Sequence, residues 1–146
     1  MSKFFVPPVA GDIVWCRFPQ DQLPRPGPKA RPALVLRVES LAARTTTVVV
    51  VAYGTSKRVG HLLSGEFAVA SGMARTGLTV PTKFNLFNSA RLAFDDEWFA
   101  VPPGAATPVM GKIQLQEVDT QRRFQAAIDA VRAAGGFAFL DTVSRG

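Results

Sequence analysis

The sequence predicts a mainly β fold, a small and strongly bent sheet or barrel packed on one C-terminal helix. Three observations predict it. Short β-branched or alternating stretches recur at close spacing, proline and glycine breakers separate them, and helical periodicity appears only towards the C-terminus. A chain of 146 residues is most simply one domain, 1–146, with residues 1–10 as a lead segment and 116–134 as the helix.

The first strand is read in "GDIVWCRFP" (Gly11 to Pro19), which alternates and ends on proline. The loop "QDQLPRPGPKA" follows, its prolines and glycine breaking any hydrogen-bond ladder. "RPALVLRVE" is a second strand, and "TTTVVVVAY" (Thr45 to Tyr53) a third, apolar on both faces at its end and so central in the sheet. "YGTSKRVGH" reads as an exposed turn. Gly65 to Ala70 and Gly77 to Phe84 give two more short strands, and Glu97 to Pro103 a sixth. The helix rests on Val118, Phe124, Ile128 and Val131 at helical spacing, with Gly135 and Gly136 as its stop.

Composition narrows the function. With 47% hydrophobic and 19% charged residues the chain has material for a core and is no disordered tail. One cysteine, Cys16, excludes an intrachain disulfide, and with His61 as the only histidine no Cys/His zinc cage assembles in one chain. A reducing cytoplasm fits that usage. The run "VVVVAY" falls far short of the roughly 18 residues that span a bilayer. The lead "MSKFFVPPVAGD" has too short an apolar core for a secretion signal, so no membrane is expected. A net charge of +6 favours polyanionic partners.

Familiar catalytic motifs are absent. No Walker loop or GxGxxG opens a helix, and Ser56 lacks the GxSxG elbow. The loop histidine His61 and the acidic run Asp95, Asp96, Glu97 read as solvated surface, and most of the aromatic residues must fill the core.

One constellation remains. Arg31 starts the second strand, while Thr55 and Ser56 follow the third. If those strands are antiparallel neighbours, a guanidinium, two hydroxyls, Lys57 and Arg58 surround one pocket. That set suits a phosphate, gripped bidentately by the guanidinium and singly by the hydroxyls.

In "GDIVWCRFP", "ARPALVL" and "VVVVAYGTSKR" the chain resembles the PemK/MazF family, toxins of toxin–antitoxin pairs. The resemblance covers Gly11 to Arg58 well and Gly77 to Leu92 loosely. It implies an SH3-like barrel, a homodimer, a cognate antitoxin, no cofactor, and metal-independent cleavage of single-stranded RNA in the cytoplasm. It also implies Arg31 and Thr55 as catalytic residues, with Ser56 as the alternative hydroxyl. Lys29, Lys57, Arg58 and Lys83 would bind flanking phosphates. The family pattern is broken where many members carry an acid and this chain has Arg17, and where an Asp or Gln gives way to Lys83 in "PTKFN". The other readings are a non-catalytic CcdB-like gyrase poison and a plain RNA- or DNA-binding barrel.

Overall fold

The computed structural model describes residues 3–21, 23–41, 46–69, 75–137 and 139–143. In chain order these form β1 (Asp12–Cys16), β2 (Arg31–Ser40), β3 (Thr47–Thr55), β4 (Glu66–Val69), β5 (Thr82–Ala93), β6 (Val109–Lys112), α1 (Val118–Ala133) and β7 (Leu140–Asp141). The expected class holds: mostly strand, one curled sheet, one C-terminal helix.

The strands are ordered β4-β5-β3-β2-β1-β6, each antiparallel to its neighbours, with β7 joining β5 in parallel. β3 is central, as its unbroken valine run predicts for a strand covered on both sides. Register shifts at Ile13/Val14, Val35/Arg37 and Ala52/Tyr53 bend the sheet. The bend brings the segment after β4 towards the far edge, where the Lys112 N–H donates to the Arg75 carbonyl at 2.7 Å.

Strand alternation splits the interior in two. Val14, Cys16, Ala33, Val35, Val49 and Val51 point to one face, against Phe94, Trp98 and Phe99. Ile13, Leu34, Ala52, Phe84 and Leu86 point to the other, against α1. Helix α1 has no side-chain N-cap bond, so it leans on packing of Phe124, Ala127, Ile128 and Val131 against that second face. Full burial of a side chain such as Val131 contributes roughly 1.5–3 kcal/mol. Val118, expected in the same stripe, is instead 66% exposed, because at about 100° per residue it falls on the outward face of the helix with Gln121, Arg122 and Gln125. The predicted stop is real: the Gly136 N–H returns to the Val131 carbonyl at 2.9 Å.

The structure differs from the sequence reading at several strand ends. The strand expected over Gly77 to Phe84 starts only at Thr82, then runs on to Ala93. Gly77 has a left-handed φ of 74° and packs on the Met110 carbonyl, which breaks any ladder before it. Glu97 to Pro103 is no strand. The Asp95 carboxylate accepts the N–H groups of Glu97 (3.0 Å) and Trp98 (3.4 Å), winding the chain into a turn from which Phe99 alone bridges to Cys16. The sixth strand is Val109–Lys112, and β7 is an addition. The expected ends Thr45 and Ala70 lie outside the described residues. Among the described residues no helix is long and apolar enough to cross a membrane.

Candidate functional site

β2 and β3 are antiparallel neighbours, as the phosphate pocket required. The ladder ends at Ala33 opposite Tyr53, so Arg31, two residues before Ala33, and Thr55, two residues after Tyr53, leave its end on the same side. Opposed residues in such a ladder have Cα atoms about 5 Å apart and side chains on one face. The row extends both ways, with Cys16 beside Arg31 and Lys83 beside Thr55. β3 therefore continues two residues beyond Tyr53 and delivers Thr55 as a strand residue, not as part of the turn.

Gly54 makes this approach possible. A Cβ there would run into the Pro32 carbonyl oxygen and lie 2.8 Å from the Phe84 ring, so only glycine lets β2 and β5 close on β3 at this point. Beneath Arg31 and Thr55, Tyr53 meets Phe18 edge-on with ring centroids 5.3 Å apart, giving the polar row an apolar floor.

Each side chain has a distinct state. Arg31 is exposed, and among the described residues its guanidinium has no hydrogen bond or ion pair. The Thr55 hydroxyl oxygen accepts the Lys57 N–H at 3.1 Å, which orients it and leaves its own O–H to donate elsewhere. Ser56, Lys57 and Arg58 are exposed on the turn that follows, and Lys29 is exposed at the end of the proline loop before Arg31. That loop is tied down where the Gly27 N–H donates to the Arg17 carbonyl at 3.0 Å. Exposed cations thus adjoin, along the chain, both the Arg31 guanidinium and the oriented Thr55 hydroxyl.

Lys83 reaches the row but not as an open cation. Its Nζ lies 2.9 Å from the Glu66 carboxylate and donates to the His61 carbonyl at 3.0 Å, with both side chains only 8% exposed. Arg17 stands apart from the row. Its Nη1 donates to the carbonyls of Asp96 (3.1 Å), Glu97 (3.4 Å) and Phe99 (3.3 Å), fastening the turn after β5. Asp95, read from sequence as solvated surface, is 4% exposed; burial pushes its carboxyl above the usual range, against the two N–H groups it caps.

Sequence reasoning missed Tyr53 and Glu66. The period-2 rule pointed to Tyr53, since residues 53 and 55 of one strand share a face. Nothing local marked Glu66, whose role depends on β4 lying against β5.

A family model described as PemK-like, MazF-like toxin of type II toxin–antitoxin system matches residues 10–92, which hold β1 to β4, β5 as far as Leu92, and the whole row. That is more than half of the chain, and the protein belongs to this family of type II toxins. Membership implies an antitoxin as its partner. No curated protein matches the chain.

Proposed function

We propose that this toxin is a metal-independent endoribonuclease that cleaves single-stranded mRNA. The observation that carries the reading is an exposed Arg31, without a hydrogen bond or ion pair among the described residues, at the start of β2, beside the end of β3 that bears the oriented Thr55 hydroxyl. In the proposed reaction a ribose 2′-OH attacks its own 3′-phosphate. The bond from phosphorus to O2′ forms and that to O5′ breaks, leaving a 2′,3′-cyclic phosphate and a 5′-OH end. One proton leaves O2′ and one is taken up at O5′.

The nucleophile belongs to the substrate, so the protein has to align it and stabilise charge on the phosphate oxygens. Arg31 meets two of those oxygens with parallel N–H groups, and Thr55 or Ser56 donates to a nonbridging oxygen. Lys29, Lys57 and Arg58 hold flanking phosphates. This division of labour needs no bound metal. The active form is a symmetric homodimer in the cytoplasm, and the antitoxin covers the basic row.

The test is cleavage of a long unstructured RNA in EDTA, with mapping of fragment ends, for wild type and Arg31→Lys. Wild type is expected to cleave and leave 5′-OH ends. Lysine keeps the charge without the fork, and loss of one such donor typically costs about 100-fold or more in rate. A strict divalent-ion requirement refutes the mechanism. Arg31→Lys at the wild-type rate favours a non-catalytic binding module.

A further inference from the structure

The segment from Thr55 to Glu66 carries two of the exposed cations of the site, Lys57 and Arg58, yet it has little regular structure of its own. Arg58 sits at φ 53°, a left-handed conformation that a non-glycine residue holds only when its surroundings enforce it. The enforcing contacts converge on two buried side chains. Lys83, in the ladder beside Thr55, donates to the His61 carbonyl, and the His61 N–H in turn donates to the Arg58 carbonyl at 3.0 Å. Glu66 accepts the Leu63 N–H at 2.8 Å with the same oxygen that meets Lys83, while its own N–H returns to the Leu63 carbonyl at 3.1 Å. Lys83 and Glu66 are diagonal partners on neighbouring strands, because Lys83 faces Ala68 and Glu66 faces Asn85.

We propose that the Lys83–Glu66 pair is a positioning device that clamps the Thr55–Leu63 turn to β5, so that Lys83 sets the place of Thr55, Lys57 and Arg58 and does not itself bind RNA. This rests on the endoribonuclease reading for its effect on rate. Two of the three ammonium donors are already used, and the pair has no net charge to offer a polyanion. A phosphate taking Lys83 would strand the Glu66 carboxylate in a site 8% exposed, a penalty that an exposed lysine would not incur. Burial pushes the Glu66 carboxyl up, but the Leu63 N–H and the Lys83 ammonium outweigh it and hold the carboxyl below its ordinary value.

The test uses Lys83→Met, Glu66→Gln and the double variant. The double variant leaves no buried charge unpaired, so it is expected to fold even if a single one does not. Cleavage of a long unstructured RNA gives kcat and KM. Binding of a 2′-O-methyl single-stranded oligonucleotide, followed against salt, counts phosphate contacts. Amide exchange of Lys57, His61 and Leu63 reports the turn.

Every variant that folds is expected to lose roughly 10–100-fold in kcat, the scale on which displacements of about 1 Å act. The salt slope stays at its wild-type value, and the three amides exchange at least about 10-fold faster than in wild type while those of the β3–β5 ladder do not change. Thr55→Ala costs far less in the double variant than in wild type, since the two changes disable one arrangement.

The opposite result is distinct in sign. If Lys83 binds phosphate, Glu66→Gln frees it and tightens RNA binding, while Lys83→Met lowers the salt slope by about 0.7. Either outcome overturns the proposal, as does wild-type cleavage by the double variant. Should wild type cleave no RNA, the endoribonuclease reading fails, and amide exchange alone decides the clamp: unchanged protection of the turn refutes it.

Discussion

Replacing Gly54 by alanine tests the link between sheet packing and the site. The new Cβ meets the Pro32 carbonyl oxygen and the Phe84 ring at once, both inside the 3.0 Å that Cβ atoms essentially never cross. Neither neighbour is a flexible side-chain end: one is backbone of β2, the other a fully buried ring. One strand must therefore retreat by about 0.5 Å or more, and overpacking of this kind costs roughly 1–3 kcal/mol. For a chain of this size that is a fall in Tm of roughly 3–12 °C. The retreat moves the start of β2 away from the end of β3, where Arg31 and Thr55 lie, so cleavage is expected to drop roughly 10–100-fold well below the melt. Gly60→Ala is the control. A methyl group added there would have no atom within 4 Å, and the residue lies on the turn after β3, so stability should move by no more than about 0.5 kcal/mol. The assay is a thermal melt beside initial cleavage rates for both variants. Wild-type Tm and rate in Gly54→Ala would refute the close approach on which the site depends.

Arg17→Ala removes three contacts to carbonyls after β5 and should cost roughly 1–3 kcal/mol in a melt, with cleavage within about twofold of wild type. A large rate loss at full stability would place Arg17 in the chemistry. Burial pushes the Cys16 thiol far up against the opposing effect of Arg17, so a thiol reagent at neutral pH should label the protein only after denaturation. Labelling of the native protein within minutes would contradict that burial. Folding stability should fall in acid. Glu39, held down chiefly by its hydrogen bond to Arg91, and Glu66 both lie below their ordinary 4.5 when folded. Their contribution is complete above that value and is lost as pH falls through the folded pKa. Asp95 has the opposite sign, since its raised carboxyl favours the fold below its ordinary 3.8 and loses that contribution as pH rises. Melts of Glu66→Gln should therefore decline less steeply between about pH 5 and pH 3 than wild type; an equal decline would remove Glu66 from the acid response.

The sequence by itself determined the class of fold and the pairing of the two strands that carry Arg31 and Thr55. The valine run of β3 is legible because a strand covered on both faces needs apolar residues without alternation, and α1 is legible from Phe124, Ile128 and Val131. The β2–β3 pairing was legible because two strands with a short connection pair antiparallel and place the start of one beside the end of the other. The tertiary structure alone decided where a local pattern competes with distant partners. Glu97 to Pro103 has strand composition, but the buried Asp95 carboxylate and the Arg17 guanidinium wind it into a turn. Lys83 is a phosphate ligand by the resemblance, and β4 brings to its ammonium a Glu66 carboxylate that no local pattern announced. Both outcomes have the same physical reason. A charge is assigned its role by the nearest group that can pair with it, and Glu66 and Lys83, 17 positions apart in the chain, meet only once β4 has docked on β5.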